Sequence, residues 1–132
     1  NTYMYVWKKN PIASKSSVSL QELEKYPCLT FDQGKTNSFY FAEEVFSTYE
    51  YKQTIQVDDR ASMLNLMVGL NGYTLCSGII CEELNGSDYA AVPLKETEVM
   101  TIGYVKRKSI QLSELAQLYV NELAKYKNLV LK

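Results

Sequence analysis

Residues 52–78, KQTIQVDDRASMLNLMVGLNGYTLCSG, alternate between two hydrophobic periods. Thr54, Ile55 and Val57 open the stretch as an extended segment. Met63, Leu64, Met67 and Val68 then repeat at helical spacing. Asp58 and Asp59 stand where a helix begins, and a carboxylate there takes up orphan N–H groups and favours the positive end of the helix dipole. Gly72 is placed to end the helix, because glycine adopts left-handed backbone at little cost. Tyr73–Cys76 reads as another buried strand. A strand–helix–strand unit of this length requires a parallel pair with a crossover helix. Open α/β sheets of this kind bind ligands at the carboxyl ends of their strands.

The remaining pattern fits the same architecture. Asn1–Trp7 alternates as a strand, and Lys8–Ser17 is a polar loop around Pro11. Ser19 is placed to cap a short helix, Leu20–Lys25, with Glu22 in its first turn. Cys28–Phe31 is an apolar run of strand length, which implies burial on both faces. Phe39–Tyr49 and Ile79–Leu84 read as helices, and Ser113 is placed to cap the closing helix within Leu112–Tyr126. Tyr89–Leu94 and Val99–Lys106 read as strands. Aromatic residues surround the helix from Phe39 (Phe39, Tyr40, Phe41, Phe46, Tyr49). That is consistent with a core stripe edged by tyrosines or with a subunit interface. Leu112, Leu115, Leu118, Tyr119 and Leu123 make another stripe that needs a partner.

Composition narrows the function. At 132 residues the chain suits one core. Fourteen basic against fifteen acidic residues argue against a nucleic-acid-binding face. No apolar run approaches the roughly 18 residues of a membrane helix. The chain has no histidine, which excludes histidine triads, histidine general bases and histidine metal sites. Three cysteines without framework spacing fit a reducing cytosol. The carboxylate pairs Glu43-Glu44, Asp58-Asp59 and Glu82-Glu83 are sequence neighbours whose side chains diverge, as on solvated helix ends. Neither an enzyme activity, nor a metal, nor a cofactor is indicated. Three loops, each following an apolar strand and preceding a helix, suit ligand contact instead: Thr30–Ser38, Gln56–Ser62 and Ser77–Ile79. In a parallel sheet they share one edge, where helix N-termini favour a small anion.

Motifs along the chain resemble those of the effector-binding domain of LysR-type transcriptional regulators. Asn10-Pro11-Ile12-Ala13 stands where that family usually has His-Pro-Leu-Ala. Val18–Leu23 and Tyr26-Pro27-Cys28-Leu29-Thr30-Phe31 resemble its entry into a second subdomain. Met67–Gly78 resembles its glycine-rich helix–strand segment, with Leu70-Asn71-Gly72-Tyr73 replacing the usual paired glycines. Met100–Val105 and Leu112–Tyr126 resemble its last strand and closing helix.

The resemblance implies a Rossmann-like, doubly wound subdomain of a periplasmic-binding-protein-like (type 2) effector domain. That subdomain would span about 8–94. Residues 1–7 and 95–132 would cross to, or belong to, a second, incomplete subdomain, with a helix-turn-helix domain, a linker and most of the first subdomain upstream. It also implies a cytoplasmic ligand sensor that binds a small-molecule effector, pairs as a homodimer and reaches DNA only through that helix-turn-helix domain. The positions carried over to effector binding are Thr30, Gln33, Gly34, Thr36, Asn37, Gln56, Ser77 and Gly78. A solute-binding protein of a transport system is the alternative on the same architecture, disfavoured by the free cysteines.

Overall fold

A computed structural model describes residues 2–32, 49–80, 82–96 and 104–125. These residues form β1 (Tyr3–Trp7), α1 (Leu20–Leu23), β2 (Cys28–Phe31), β3 (Thr54–Val57), α2 (Arg60–Leu70), β4 (Tyr73–Cys76), α3 (Glu82–Asn85), β5 (Tyr89–Pro93) and α4 (Glu114–Lys125). The expected helix Phe39–Tyr49 lies outside the described residues except for Tyr49, and so does the first part of the expected strand Val99–Lys106. Tyr104–Lys106 is described and pairs with no strand among the described residues. Tyr104 and Val105 are exposed there, so the segment lacks a buried face to hold it extended.

The chain divides into two units, residues 1–100 and 101–132. The first is built on a five-stranded sheet with the order β3-β2-β4-β1-β5. β2 runs parallel to β3 and to β4. β1 is antiparallel to both of its neighbours, β4 and β5, which makes the sheet mixed. Asn1–Trp7, expected to cross to or belong to a second subdomain, thus supplies an interior strand of this sheet through Tyr3–Trp7.

Side-chain alternation puts a core on each face of the sheet. Met4, Val6, Cys28, Tyr73 and Val92 pack with Ile12, Val18, Leu20 and Leu23 on the α1 face. Tyr5, Leu29 and Val57 pack with Met63 and Met67 on the α2 face. Val68, expected in the apolar stripe of α2, is instead exposed, and Leu64 and Leu66 flank the buried methionines.

Local chemistry fixes the helix ends. Ser19 and Glu22 form a reciprocal capping box at α1. The Glu22 carboxylate also pairs with Lys15 and Lys95. These bonds hold its carboxyl well below the usual carboxylate range. Asp59 caps α2 by accepting a hydrogen bond from the Ser62 amide at 2.8 Å.

The left-handed residue that ends α2 is Asn71 (φ 53°), not Gly72 as expected. Asparagine tolerates this conformation, and the Asn71 carbonyl accepts a 2.9 Å hydrogen bond from the Asn10 amide. Gly72 instead sits in a tight space. A Cβ there would lie 3.1 Å from the Leu29 side chain and 3.3 Å from the Pro27 carbonyl. Asn10 is buried, and its Oδ1 accepts from the Ile12 amide at 3.0 Å. One side chain thereby closes the turn at Asn10–Ala13 and ties it to the end of α2.

In the second unit α4 begins after Ser113, whose hydroxyl accepts from the Ala116 amide at 3.3 Å. Leu115, Leu118, Tyr119 and Leu123 are exposed along it.

Replacing Asn10 by Ala removes the bond to Asn71 and strands the buried Ile12 amide. We expect Asn10→Ala to cost about 1–3 kcal/mol in urea unfolding, with an unchanged denaturant slope.

Candidate functional site

The parallel pairing brings the carboxyl ends of three strands to one edge. Thr30 of β2 and Gln56 of β3 are register partners. Cys28 pairs with Tyr73, so β4 runs alongside and delivers Ser77-Gly78 to the same edge. The alternation places Thr30 and Gln56 on the α1 face. Thr30 is buried and Gln56 exposed, so the edge passes from the core to solvent within two neighbouring strands. Gln33, Gly34, Thr36 and Asn37, the other expected contacts, lie outside the described residues.

The edge differs from the expected convergence of free helix N-termini. At α2 the Asp59 carboxylate already occupies the helix end, and the Ser62 amide donates to it. After β4 the Gly78 amide donates to the Cys76 sulfur at 3.3 Å, and the Ile79 amide donates to the Ser77 hydroxyl at 3.4 Å. The turn that results delays the next described helix to Glu82, where Ile79–Leu84 was expected. Thr30, Ser77 and Gln56 bring hydroxyls and an amide to this edge, and the carboxylates of Asp32, Asp58 and Asp59 follow the same strand ends.

Gly78 has a structural demand of its own. Its φ is +82°, and a Cβ there would lie 2.5 Å from the Tyr3 ring. The glycine lets the loop after β4 close under that ring. This does not require a ligand.

A cavity of about 170 Å³ opens on the other face, beside α2. Tyr5, Arg60, Met63, Leu64, Cys76 and Ile80 line it. Arg60 is exposed, and its Nε donates to the Asn85 side-chain oxygen at 2.8 Å. Burial pushes the Cys76 thiol up, opposed by the Gly78 amide and by the charge of Arg60. Arg60 lies in the expected loop Gln56–Ser62, but sequence reasoning missed the others because they come from separate elements. The available signal was alternation: Phe31 and Cys76 each adjoin a selected position and point to the opposite face.

The sequence matches the family described as LysR substrate binding domain over residues 2–127. The chain belongs to that family. It is accordingly a substrate-binding domain with the periplasmic-binding-protein-like fold. The fold is similar to that of HinK, a LysR-family transcriptional regulator from Pseudomonas aeruginosa, with a TM-score of 0.61 and 20% identity. It is also similar to the effector-binding domain of QuiR, solved in complex with shikimate, with a TM-score of 0.55 and 17% identity. The matches cover 92% and 99% of this chain, but only 43% of the HinK chain and 63% of the QuiR chain. No curated protein matches the sequence. Among the described residues no helix is long and apolar enough to cross a membrane.

Gly78→Ala tests the packing of the loop. Left-handed backbone costs a residue with a Cβ about 1–2 kcal/mol, and displacement of the Tyr3 ring adds to it. We expect a lower melting temperature, partly restored in the Gly78→Ala, Tyr3→Ala double variant relative to the sum of the single changes.

Proposed function

We propose that the chain senses a small anionic metabolite at the carboxyl edge of its sheet and passes the occupied state to a helix-turn-helix domain outside this chain. Thr30, Gln56, Ser77 and Gly78 form the described part of this site, and Gln33, Gly34, Thr36 and Asn37 extend it. The reading is carried by one observation: parallel pairing of β2 with β3 and with β4 puts all three strand ends on a single edge. Hydroxyl and amide side chains there suit the oxygens of a carboxylate or a polyol. The shikimate bound by the QuiR domain has both groups. The protein works in the cytoplasm as a sensor without turnover, and DNA is contacted only through the helix-turn-helix domain.

A panel of small carboxylates, amino acids and sulfur oxyanions, screened by thermal shift, tests this reading. A specific effector raises the melting temperature by mass action. Thr30→Val and Gln56→Ala should each weaken its binding about tenfold, the loss of roughly one hydrogen bond, and leave the melting temperature of the free protein nearly unchanged. An effector bound equally well by both variants would remove the site from this edge.

The domain also pairs with a second copy. The support is the aromatic run in Phe39–Tyr49, which exceeds what one core face needs. Tyr40→Glu should shift light scattering from dimer to folded monomer. A wild-type monomer, or a variant that unfolds, returns these aromatics to the core.

A further inference from the structure

The sequence holds two Asn-Gly pairs, Asn71-Gly72 and Asn85-Gly86. An asparagine side chain and the next backbone nitrogen can close a five-membered ring, and glycine leaves that nitrogen unshielded. The fold treats the two pairs differently. At the end of α2 the Asn71 carbonyl accepts from the Asn10 amide, and Gly72 is buried against Leu29 and the Pro27 carbonyl. Ring closure there requires the helix end and the start of β4 to open. Asn85 instead ends α3, which is one turn long and has no buried residue. Gly86 is exposed at φ +76°, and beyond its chain neighbours nothing lies within 4 Å of where a Cβ would be. Its amide donates to the Glu82 carbonyl at 2.8 Å, a bond that opens when the single turn frays.

Arg60 acts on the side chain of the second pair. From the first turn of α2 its Nε donates to Asn85 Oδ1 at 2.8 Å. A cation on that oxygen draws charge from Cγ and stabilises the oxyanion that forms when a nitrogen attacks. We infer that Asn85 is a modification site, converted by Gly86 and Arg60 to aspartate and isoaspartate with water as the co-reactant. The Gly86 nitrogen bonds to Asn85 Cγ, the Cγ–Nδ2 bond breaks, and ammonia leaves with the proton lost from the Gly86 amide. One water then opens the succinimide. Breaking the new Cγ–N bond leaves aspartate, and breaking the original peptide C–N bond leaves isoaspartate. The aspartate product keeps the oxygen that Arg60 binds and gives it a charge. Arg60 is in no salt bridge among the described residues, so the reaction turns a neutral contact at the start of α2 into an ion pair. Isoaspartate lengthens the backbone by one methylene where α3 ends.

The full chain, incubated in mildly alkaline buffer both folded and in urea, tests the inference. Peptide mass spectrometry reads the change from amide to acid at each pair, and enzymatic methylation reads isoaspartate. In urea the two pairs should convert at similar rates. In the folded chain Asn85 should convert at least about tenfold faster than Asn71, because its opening disturbs one exposed turn and no core. Arg60→Met should slow conversion at position 85 several-fold in the folded chain and leave the rate in urea unchanged. Arg60→Gln, which keeps donors without the charge, should fall between. Arg60 is exposed, so both variants should melt close to wild type. The inference is overturned if Asn71 converts as fast as Asn85 in the folded chain, or if Asn85 survives there while the denatured chain converts. It is equally overturned if Arg60→Met converts at the wild-type rate.

Discussion

Burial of β1 on both faces is the constraint from which the unit is built. Met4 and Val6 are fully buried on one side, and Tyr5 is nearly so on the other. The strand is hydrogen-bonded along both edges, to β4 and to β5. Removing it would separate β5 from the parallel strands and open both cores together. Its antiparallel direction also has a geometric effect. It joins β4 to β5 without adding a carboxyl end to the edge where β2, β3 and β4 terminate.

That arrangement gives the two faces different chemistry. On the α1 face the strand ends present a hydroxyl and an amide, Thr30 and Gln56. On the α2 face they open on a mostly apolar cavity with one cation at its wall. The separation follows from the period of two in a strand, which sends neighbouring residues to opposite sides. A sensor made this way has two chemically distinct surfaces within a few residues of the same strand ends.

Features encoded within a few residues were legible in the sequence. The capping box Ser19–Glu22, the Asp59 cap and the span Arg60–Leu70 each depend on neighbours in the chain, and each is as expected. Features set by distant partners were not. Asn71 rather than Gly72 takes the left-handed conformation, and its carbonyl is held by Asn10, sixty-one positions away. The place of β1 in the sheet depends on β4 and β5. The free N–H groups expected after β4 are instead used by Cys76 and Ser77, because the chain turns back at Gly78 under the Tyr3 ring. The cavity required knowing which residues of β1, β4 and α2 share a face.

The bond from Asn10 to the end of α2 has a consequence for acidity. At this position the family usually has histidine, whose side chain changes charge between about pH 5 and 8. An amide does not titrate, so the seam between the Asn10–Ala13 turn and α2 keeps the same donor and acceptor throughout that range. With no histidine anywhere in the chain, no side chain has an unperturbed titration near neutrality. A drift in cellular pH therefore leaves this seam, and the helix it fixes, where they are.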